Sequence, residues 1–485
     1  MSNQQPARKT SKKFNWSRCI FRWLKRPEGF LVAVAGLFGV LLIILVPPTQ
    51  VPDELNHFLR AYDISEGHVM SRSLSAVEPR ENIVGAPIPN VVTKTGYELM
   101  QKGSDAMNNT GPKLNREVLK DYNKMSFSRT QQNPTSFPNT SLYSPIPYIP
   151  QALGIRAAIY TGQSVLGLFY VARLFNLVVF ITLLVLAVRS MPFGKWGLVV
   201  IALLPTTLQQ GASVSADAMM YSLAILSIAY FMRLYIAPRL ISRKTVVMLI
   251  IMLATLTLIK SHFLILAPLP LLLPKKYFNN KQEYWLLCGG GIILALLLTS
   301  LWSYMVKDYL VPTVTTFRPH TIIHPSQQLL WIVSHPLQFA RSFAATFLGP
   351  VGTEAILTAV GTDHFLPLVV VMISYFTLIF TWLASEAKFV TKSLRRWLFL
   401  EMLGLFGSIV VIMYMVFNSI GESVIDGIHG RYFIVLLPLA LVLVATSKWK
   451  ISTGRYAKLL YSLGVFTPLV CVVLKNTQIF YGWPF

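Results

Sequence analysis

Long, unbroken apolar runs alternate with short polar stretches along this chain. The runs have the length that crosses a bilayer as a helix, about 20 residues. The first, about Phe30 to Val46, stops at Pro47-Pro48. Ten more follow, at about 165–188, 196–210, 216–235, 245–259, 263–274, 284–305, 365–385, 397–417, 431–446 and 459–474. The pattern predicts an all-α polytopic membrane protein with about 11 transmembrane helices. Two polar stretches are long: residues 47–164, a large first loop, and residues 306–364. Residues 1–27 read as a basic tail and residues 28–485 as a single membrane domain.

Charge orients the spans. Cations cluster from Arg8 to Arg26, at Arg189 and Lys195, from Arg233 to Lys244, from Lys275 to Lys281, from Lys388 to Arg396 and from Lys448 to Lys458. Cytoplasmic loops carry such an excess, so these turns and the N-terminus are expected in the cytoplasm. Loop 47–164 and segment 306–364 are then extracytoplasmic. All eight histidines (57, 68, 262, 320, 324, 335, 364 and 429) fall on that same side, with Asp53, Glu54, Asp217, Glu354, Asp363, Glu422 and Asp426. Titratable chemistry is therefore expected at the extracytoplasmic face. The basic start is followed by no small-residue cleavage site, which reads as a retained first helix.

Composition narrows the class. Of 485 residues, 54% are hydrophobic and 13% charged, against about 25% charged in a soluble domain. There is no room for a large soluble domain. The net charge of +23 lies in clusters between apolar runs, so it reads as topology and not as a nucleic-acid surface. Cys19, Cys288 and Cys471 have no zinc or disulfide spacing. No GxGxxG, P-loop, HExxH or GxSxG is present, which argues against a nucleotide-driven machine, a zincin and a serine hydrolase.

The candidate chemistry sits where polar residues interrupt apolar runs. In PDELNHFLRA, Pro52 is placed to open a helix, and Asp53, His57 and Arg60 then share one face at i, i+4, i+7. Glu54 stands beside Asp53, near the positive end of the helix dipole. In SADAMMY, Asp217 is the only acid between Asp121 and Glu283. It is either used or paired, or Ser215 or Asp217 is a helix cap. In LIKSHF, Lys260 and His262 interrupt an apolar stretch, and a snorkelling lysine is the alternative. In GIHGRYF, Arg431 follows His429 and opens an apolar run. A guanidinium there can grip a phosphate bidentately or merely anchor the helix at the headgroups. His335, Arg341 and Glu354 lie in an apolar external segment that reads as interfacial helices over a cavity.

These stretches resemble a known family. PDExxHxxRAxxIxxG after the first helix, LLPTTxxxxxxxSADA, the lysine of LIKSHF, HPLQF and GxHGRYFxxLLP resemble, in order, the landmarks of the DUF2142 family of bacterial membrane proteins. The resemblance covers about residues 28 to 446. That family in turn resembles the GT-C class of membrane glycosyltransferases. The resemblance implies a polyprenyl-phosphate-linked sugar as donor and transfer at the outer face of a bacterial plasma membrane. It also implies a catalytic acid directly after the first helix, the place of Asp53. The chain departs from its relatives in SLYSPIPYIP, where they have a PPLYY-like stretch.

Residues and resemblance together lead to the expectation of a glycosyltransferase that moves one sugar onto a cell-envelope glycan. Asp53 is the expected general base, with Glu54 as alternate, and His57 orients the acid or senses the phosphate. Arg431, Lys260 and Arg60 hold the leaving phosphate, with Asp217, His262, His335, Arg341 and His429 as further substrate contacts. The enzyme that makes the donor is a candidate partner. No cofactor is required by the motifs, and a divalent metal on Asp53, Glu54 and Asp217 is left open. The alternatives are a flippase for a lipid-linked sugar and a non-catalytic envelope-assembly subunit. The flippase calls for charge near the bilayer centre and repeated halves, and neither is read from the chain.

Overall fold

A computed structural model of the chain describes residues 22–73, 84–114, 116–237, 240–309, 323–361, 366–385, 387, 389–445 and 455–482. Residues 1–21 of the basic tail lie outside the described residues, as do His320, Asp363, His364, Lys388, Lys448 and Lys450.

The long apolar runs are long helices. α1 is Pro27–Leu45, opened by Pro27, which lacks only an N–H that the first turn leaves unbonded anyway. It ends before Pro47-Pro48. The first loop, described further below, contributes α2 Glu54–Ser65, α3 Asn90–Asn108, α4 Arg116–Lys124 and α5 Ile149–Tyr160. α6, Val165–Ser190, is capped by Ser164, whose Oγ accepts the Gly167 N–H at 3.1 Å. Next come α7 Lys195–Ala202, α8 Pro205–Gly211, α9 Ala216–Tyr235, α10 Arg243–Ile259 and α11 Lys281–Met305. The C-terminal part holds α12 Pro325–Ser334, α13 Pro336–Leu348, α14 Pro350–Val360, α15 Leu368–Leu383, α16 Lys392–Phe417, α17 Leu437–Val444 and α18 Arg455–Tyr481. By length and composition, six described helices can cross a bilayer (α1, α6, α9, α11, α16 and most of α18), or seven if the bent pair α13–α14 is one span.

α10 and α15 are unbroken but shorter, 17 and 16 residues; the other three expected spans are segmented, and proline is the reason. It removes a helix hydrogen bond and clashes with the preceding turn. The run at 196–210 breaks at Leu203–Leu204, before Pro205, into α7 and α8. The run at 263–274 is two 3-10 pieces, Ser261–Leu266 and Leu269–Leu272, around Pro268 and Pro270. The run at 431–446 is a 3-10 turn, Gly430–Leu436, followed by α17. In the segment expected to be external, α13 and α14 are apolar and bend by 55° at Gly349–Pro350. α14 packs deep: Gly430 lies against it so closely that a Cβ there would meet the Ala355 carbonyl oxygen at 2.0 Å.

The first loop carries a three-stranded antiparallel sheet, which periodicity did not reveal. Its order is β1 Arg72–Ser73, β2 Val84–Pro89, β3 Gln132–Ser136. β2 contains Pro87 and Pro89, unusual in a central strand. β1 reaches only Val84 and Gly85, so both prolines sit where β2 is an edge on that side. A core of Leu55, Phe58, Leu59, Tyr62, Ile88, Tyr148 and Phe169 joins the sheet to α2, α5 and α6. α5 and α6 cross at Gly154, where a Cβ would lie 2.9 Å from the Ala172 Cα.

Buried polar groups also lie inside the spans, Arg173 and Asn176 in α6 and Glu401 in α16. Glu401 lies on the buried face of α16 with Leu394, Leu398, Leu405 and Ile409, and its Oε2 has no hydrogen-bond partner among the described residues.

Candidate functional site

The site begins with the turn that follows α1. Helix ends leave their last carbonyls without partners, and here Arg173 of α6 supplies donors. Its Nη1 donates to the carbonyls of Ile43 (3.0 Å) and Val46 (2.6 Å), and its Nη2 to that of Pro47 (3.0 Å). The same guanidinium grips Glu54 in a fork, Nε to Oε1 at 2.7 Å and Nη2 to Oε2 at 2.6 Å. Glu54 also accepts the backbone N–H of Thr49 (2.8 Å) and of Val214, in the loop before α9 (2.9 Å). Both side chains are fully buried. Within this turn Thr49 (φ 72°) and Asp53 (φ 61°) have left-handed backbone, which a residue with a Cβ adopts only when its surroundings impose it. Pro52 precedes the helix and does not open it; α2 starts at Glu54 with Asp53 at the cap position. The Asp53 side chain makes no cap hydrogen bond, so its carboxylate is available to the groups described next.

Four sequence motifs meet there. Asp53 Oδ2 accepts from Arg431 Nη2 at 2.7 Å, and its Oδ1 from Asn139 Nδ2 at 3.2 Å. Asn139 is itself held by Asn56 Nδ2 at 2.8 Å. Asp217 Oδ1 accepts from Lys260 Nζ at 3.0 Å. The cap of α9 is Ser215, whose Oγ accepts the Asp217 N–H, so the Asp217 carboxylate is left to the lysine. Tyr221 ties the two pairs together. Its hydroxyl donates to the Arg431 carbonyl at 2.8 Å and lies 3.4 Å from Asp217 Oδ2. Lys260 Nζ sits 5.6 Å and 5.5 Å from the ring centres of Tyr143 and Tyr432, within cation–π range. His57 Nδ1 is 2.7 Å from the Tyr148 hydroxyl, and its ring stacks on Tyr143.

The acid after α1, the start of α9, the end of α10 and the 3-10 turn Gly430–Leu436 therefore converge at one end of the helices. The members differ in access. Arg431 and Lys260 are 6% and 14% exposed, whereas the Asp53 carboxylate is 41% exposed although protein crowds it on most sides. Burial alone would raise the Asp53 pKa, but the charge of Arg431 and its hydrogen bond bring it below the ordinary value. Burial also holds His57 down, to about 4, despite the opposing pull of Asp53 and Asp217. His57 is thus neutral at ordinary pH.

The remaining expected site residues are placed as follows. Glu54 is fully engaged by Arg173, Thr49 and Val214, which removes it from the substrate-facing set as an alternate base. Arg60 is buried and bound to Asp63 at 3.0 Å, to the Val69 carbonyl at 2.6 Å and, longer, to that of Tyr143. It supports the aromatic wall and is not among the cations beside Asp53. His429 packs its ring edge-on to Tyr432 and borders the group. His262 packs on Phe263, next to Lys260. His335 is exposed and stacked on Trp331, and Arg341 is exposed on α13; no described contact joins either to Asp53. No three His, Cys, Asp or Glu side chains stand together as a metal set among the described residues. Asp53 and Asp217 each face a cation instead, so this arrangement does not fit the divalent metal left open on Asp53, Glu54 and Asp217. Sequence reasoning missed Asn139, Tyr143, Tyr148, Tyr221, Tyr432 and Arg173. An arginine inside the apolar run FYVARLFN was the one signal available for any of them.

The sequence profile of the family described as "Predicted membrane protein (DUF2142)" matches residues 37–440. No curated protein matches the chain. Two solved structures are similar. One is the Archaeoglobus fulgidus oligosaccharyltransferase tethered with an acceptor peptide containing the NVT sequon. It is 12% identical, with a TM-score of 0.36, over 96% of this chain and 56% of that one. The other is the archaeal oligosaccharyltransferase AglB from Archaeoglobus fulgidus in complex with an inhibitory peptide and a dolichol-phosphate. It is 14% identical, with a TM-score of 0.34, over 94% of this chain and 56% of that one. The chain spans a little over half the length of either.

Proposed function

The chain belongs to the DUF2142 family of membrane proteins, and we propose that it is a GT-C-like membrane glycosyltransferase. In this reading it moves a sugar from a polyprenyl-phosphate donor to a hydroxyl of a cell-envelope glycan at the extracytoplasmic face of a bacterial plasma membrane. The observation that carries the reading is an accessible carboxylate, Asp53, paired with the buried cation Arg431, with Tyr221 linking this pair to the buried Lys260–Asp217 pair at the end of the helix bundle. Donor phosphates lie at headgroup depth, and that is where such cations act most strongly, because water is scarce.

The chemistry follows from these groups. The acceptor hydroxyl oxygen attacks the anomeric carbon, and its proton passes to the Asp53 carboxylate. The bond from that carbon to the phosphate oxygen breaks, and polyprenyl phosphate leaves with the electron pair. Arg431 and Lys260 hold the charge it carries. Donor binding also prepares the base. A phosphate that takes the Arg431 guanidinium relieves Asp53 of the cation that depresses its basicity. A single displacement of this kind inverts the anomeric carbon.

The test uses purified protein in lipid, a radiolabelled polyprenyl-phosphate hexose and envelope extract as acceptor, with wild type beside Asp53→Asn. Transfer by wild type, lost in a folded Asp53→Asn variant, is expected. Normal transfer by Asp53→Asn defeats the assignment. The flippase reading gains one observation, the buried Glu401 of α16. Movement of labelled lipid across vesicles by a protein that transfers no sugar, abolished by Glu401→Gln, would bring that reading forward.

A further inference from the structure

We infer that the buried Glu54–Arg173 pair is the positioning unit of the site, fixing Asp53 in its left-handed conformation and locking the two acid-bearing loops into one register. The inference rests on the proposed reading that Asp53 is the base. Each Glu54 oxygen receives two hydrogen bonds, one from Arg173 and one from a loop backbone: Thr49 N–H on Oε2 and Val214 N–H on Oε1. The first loop carries Asp53, and the second leads directly into the first turn of α9, which carries Asp217. Arg173 fastens the same carboxylate to the last carbonyls of α1. One turn along α6, Asn176 donates to the Ser213 carbonyl at 2.8 Å and accepts from Gln151, which also donates to the Ser215 carbonyl at 3.0 Å. A single buried polar network on α6 therefore sets the distance between the two acids. Arg431 and Lys260 belong to other elements, the 3-10 turn Gly430–Leu436 and the end of α10. Loss of the network should misplace the base without removing the phosphate-binding charge.

The experiment compares wild type with Glu54→Gln and Arg173→Lys, the second keeping the charge but not the guanidinium fork. Three quantities are read: turnover, affinity for polyprenyl phosphate, and amide hydrogen exchange. The expected result is a turnover at least tenfold lower, lipid affinity within about twofold of wild type, and faster exchange at Thr49 and Val214 together. A second substitution distinguishes positioning from bracing. Thr49→Gly relieves one of the two left-handed residues the clamp restrains, so Glu54→Gln/Thr49→Gly should recover part of the lost turnover. Unchanged turnover in a folded variant, faster exchange in only one of the two loops, or parallel loss of turnover and lipid affinity without rescue would overturn the inference. If wild type transfers no sugar, the proposed function falls. The exchange measurement then decides the linkage of the loops by itself.

Discussion

Asp53 and Arg431 are 378 residues apart in sequence, and their side chains meet at 2.7 Å. One follows the first helix and the other opens the last short 3-10 turn before α17. Their contact brings the two ends of the chain's polar chemistry to one place. It also pairs the accessible acid with a cation that a phosphate can take over.

On the proposed mechanism, replacing Asp53 by Asn removes the base and keeps the size. General-base catalysis is typically worth 10²–10⁴-fold, so turnover should fall by about that much while the lipid donor binds as before. Rates and donor affinity measured side by side in lipid check this. Asn139→Ala should have a smaller effect, roughly tenfold, because Asn139 only holds Oδ1 of the same carboxylate.

Arg431→Lys keeps a positive charge but loses the planar fork. Removing one preorganised electrostatic contact of this kind typically costs about 10²–10³ in rate. The donor phosphate should also bind more weakly, and Lys260→Met should weaken it further, since it leaves Asp217 buried without its partner. Titration with polyprenyl phosphate lacking the sugar measures this directly. An unchanged affinity in both variants would remove the phosphate from this site.

The proton balance of folding gives a pH prediction. His57 has a folded pKa of about 4, below its ordinary 6.5, because burial disfavours its charge. Between those values the unfolded chain binds a proton that the folded chain does not, so stability rises with pH across this window. The His57 contribution is complete above about pH 6.5 and is lost as pH falls toward 4. Asp53, lowered by Arg431, acts in the same direction below 3.8. The melting temperature in lipid should fall from pH 6.5 to 4, and His57→Gln should flatten that slope. Turnover should fall on the acid side too, as Asp53 takes up a proton and His57 becomes charged.

The site was partly legible because an isolated polar residue in an apolar run is costly unless it has a partner. PDELNH, SADA, LIKSH and GIHGRY stood out for that reason, and all four contribute to one cluster. Who pairs with whom was not legible. Asp217 joins Lys260 and Asp53 joins Arg431 only through the packing of α9, α10 and the 3-10 turn. The acid pair Asp53-Glu54 looked interchangeable in sequence, yet one is accessible beside Arg431 and the other is buried on Arg173. The tyrosines lie mostly in SLYSPIPYIP and in the last turn, where nothing local shows which way a ring points. Continuous spans were read correctly where no proline intervened, as in α6 and α11, and were overextended at Pro205, Pro268 and Pro438. The sheet was hidden because VGAPIP, with two prolines and a glycine, has no strand signature.

Arg60 is a structural cation, unlike those to which the proposed mechanism gives the phosphate. It shares α2 with His57, just after Asp53, and on spacing alone it belonged with them. Its guanidinium instead joins Asp63, both side chains being buried, and two backbone carbonyls of the loop. Breaking a buried pair by removing one partner costs about 3–5 kcal/mol. Arg60→Met should therefore lower the melting temperature strongly, and Arg60→Met/Asp63→Leu, which removes both charges, should regain much of the loss. In the protein that does fold, affinity for polyprenyl phosphate should match wild type. A specific loss of lipid affinity at unchanged stability would instead return Arg60 to the phosphate site and require the loop to rearrange when donor binds.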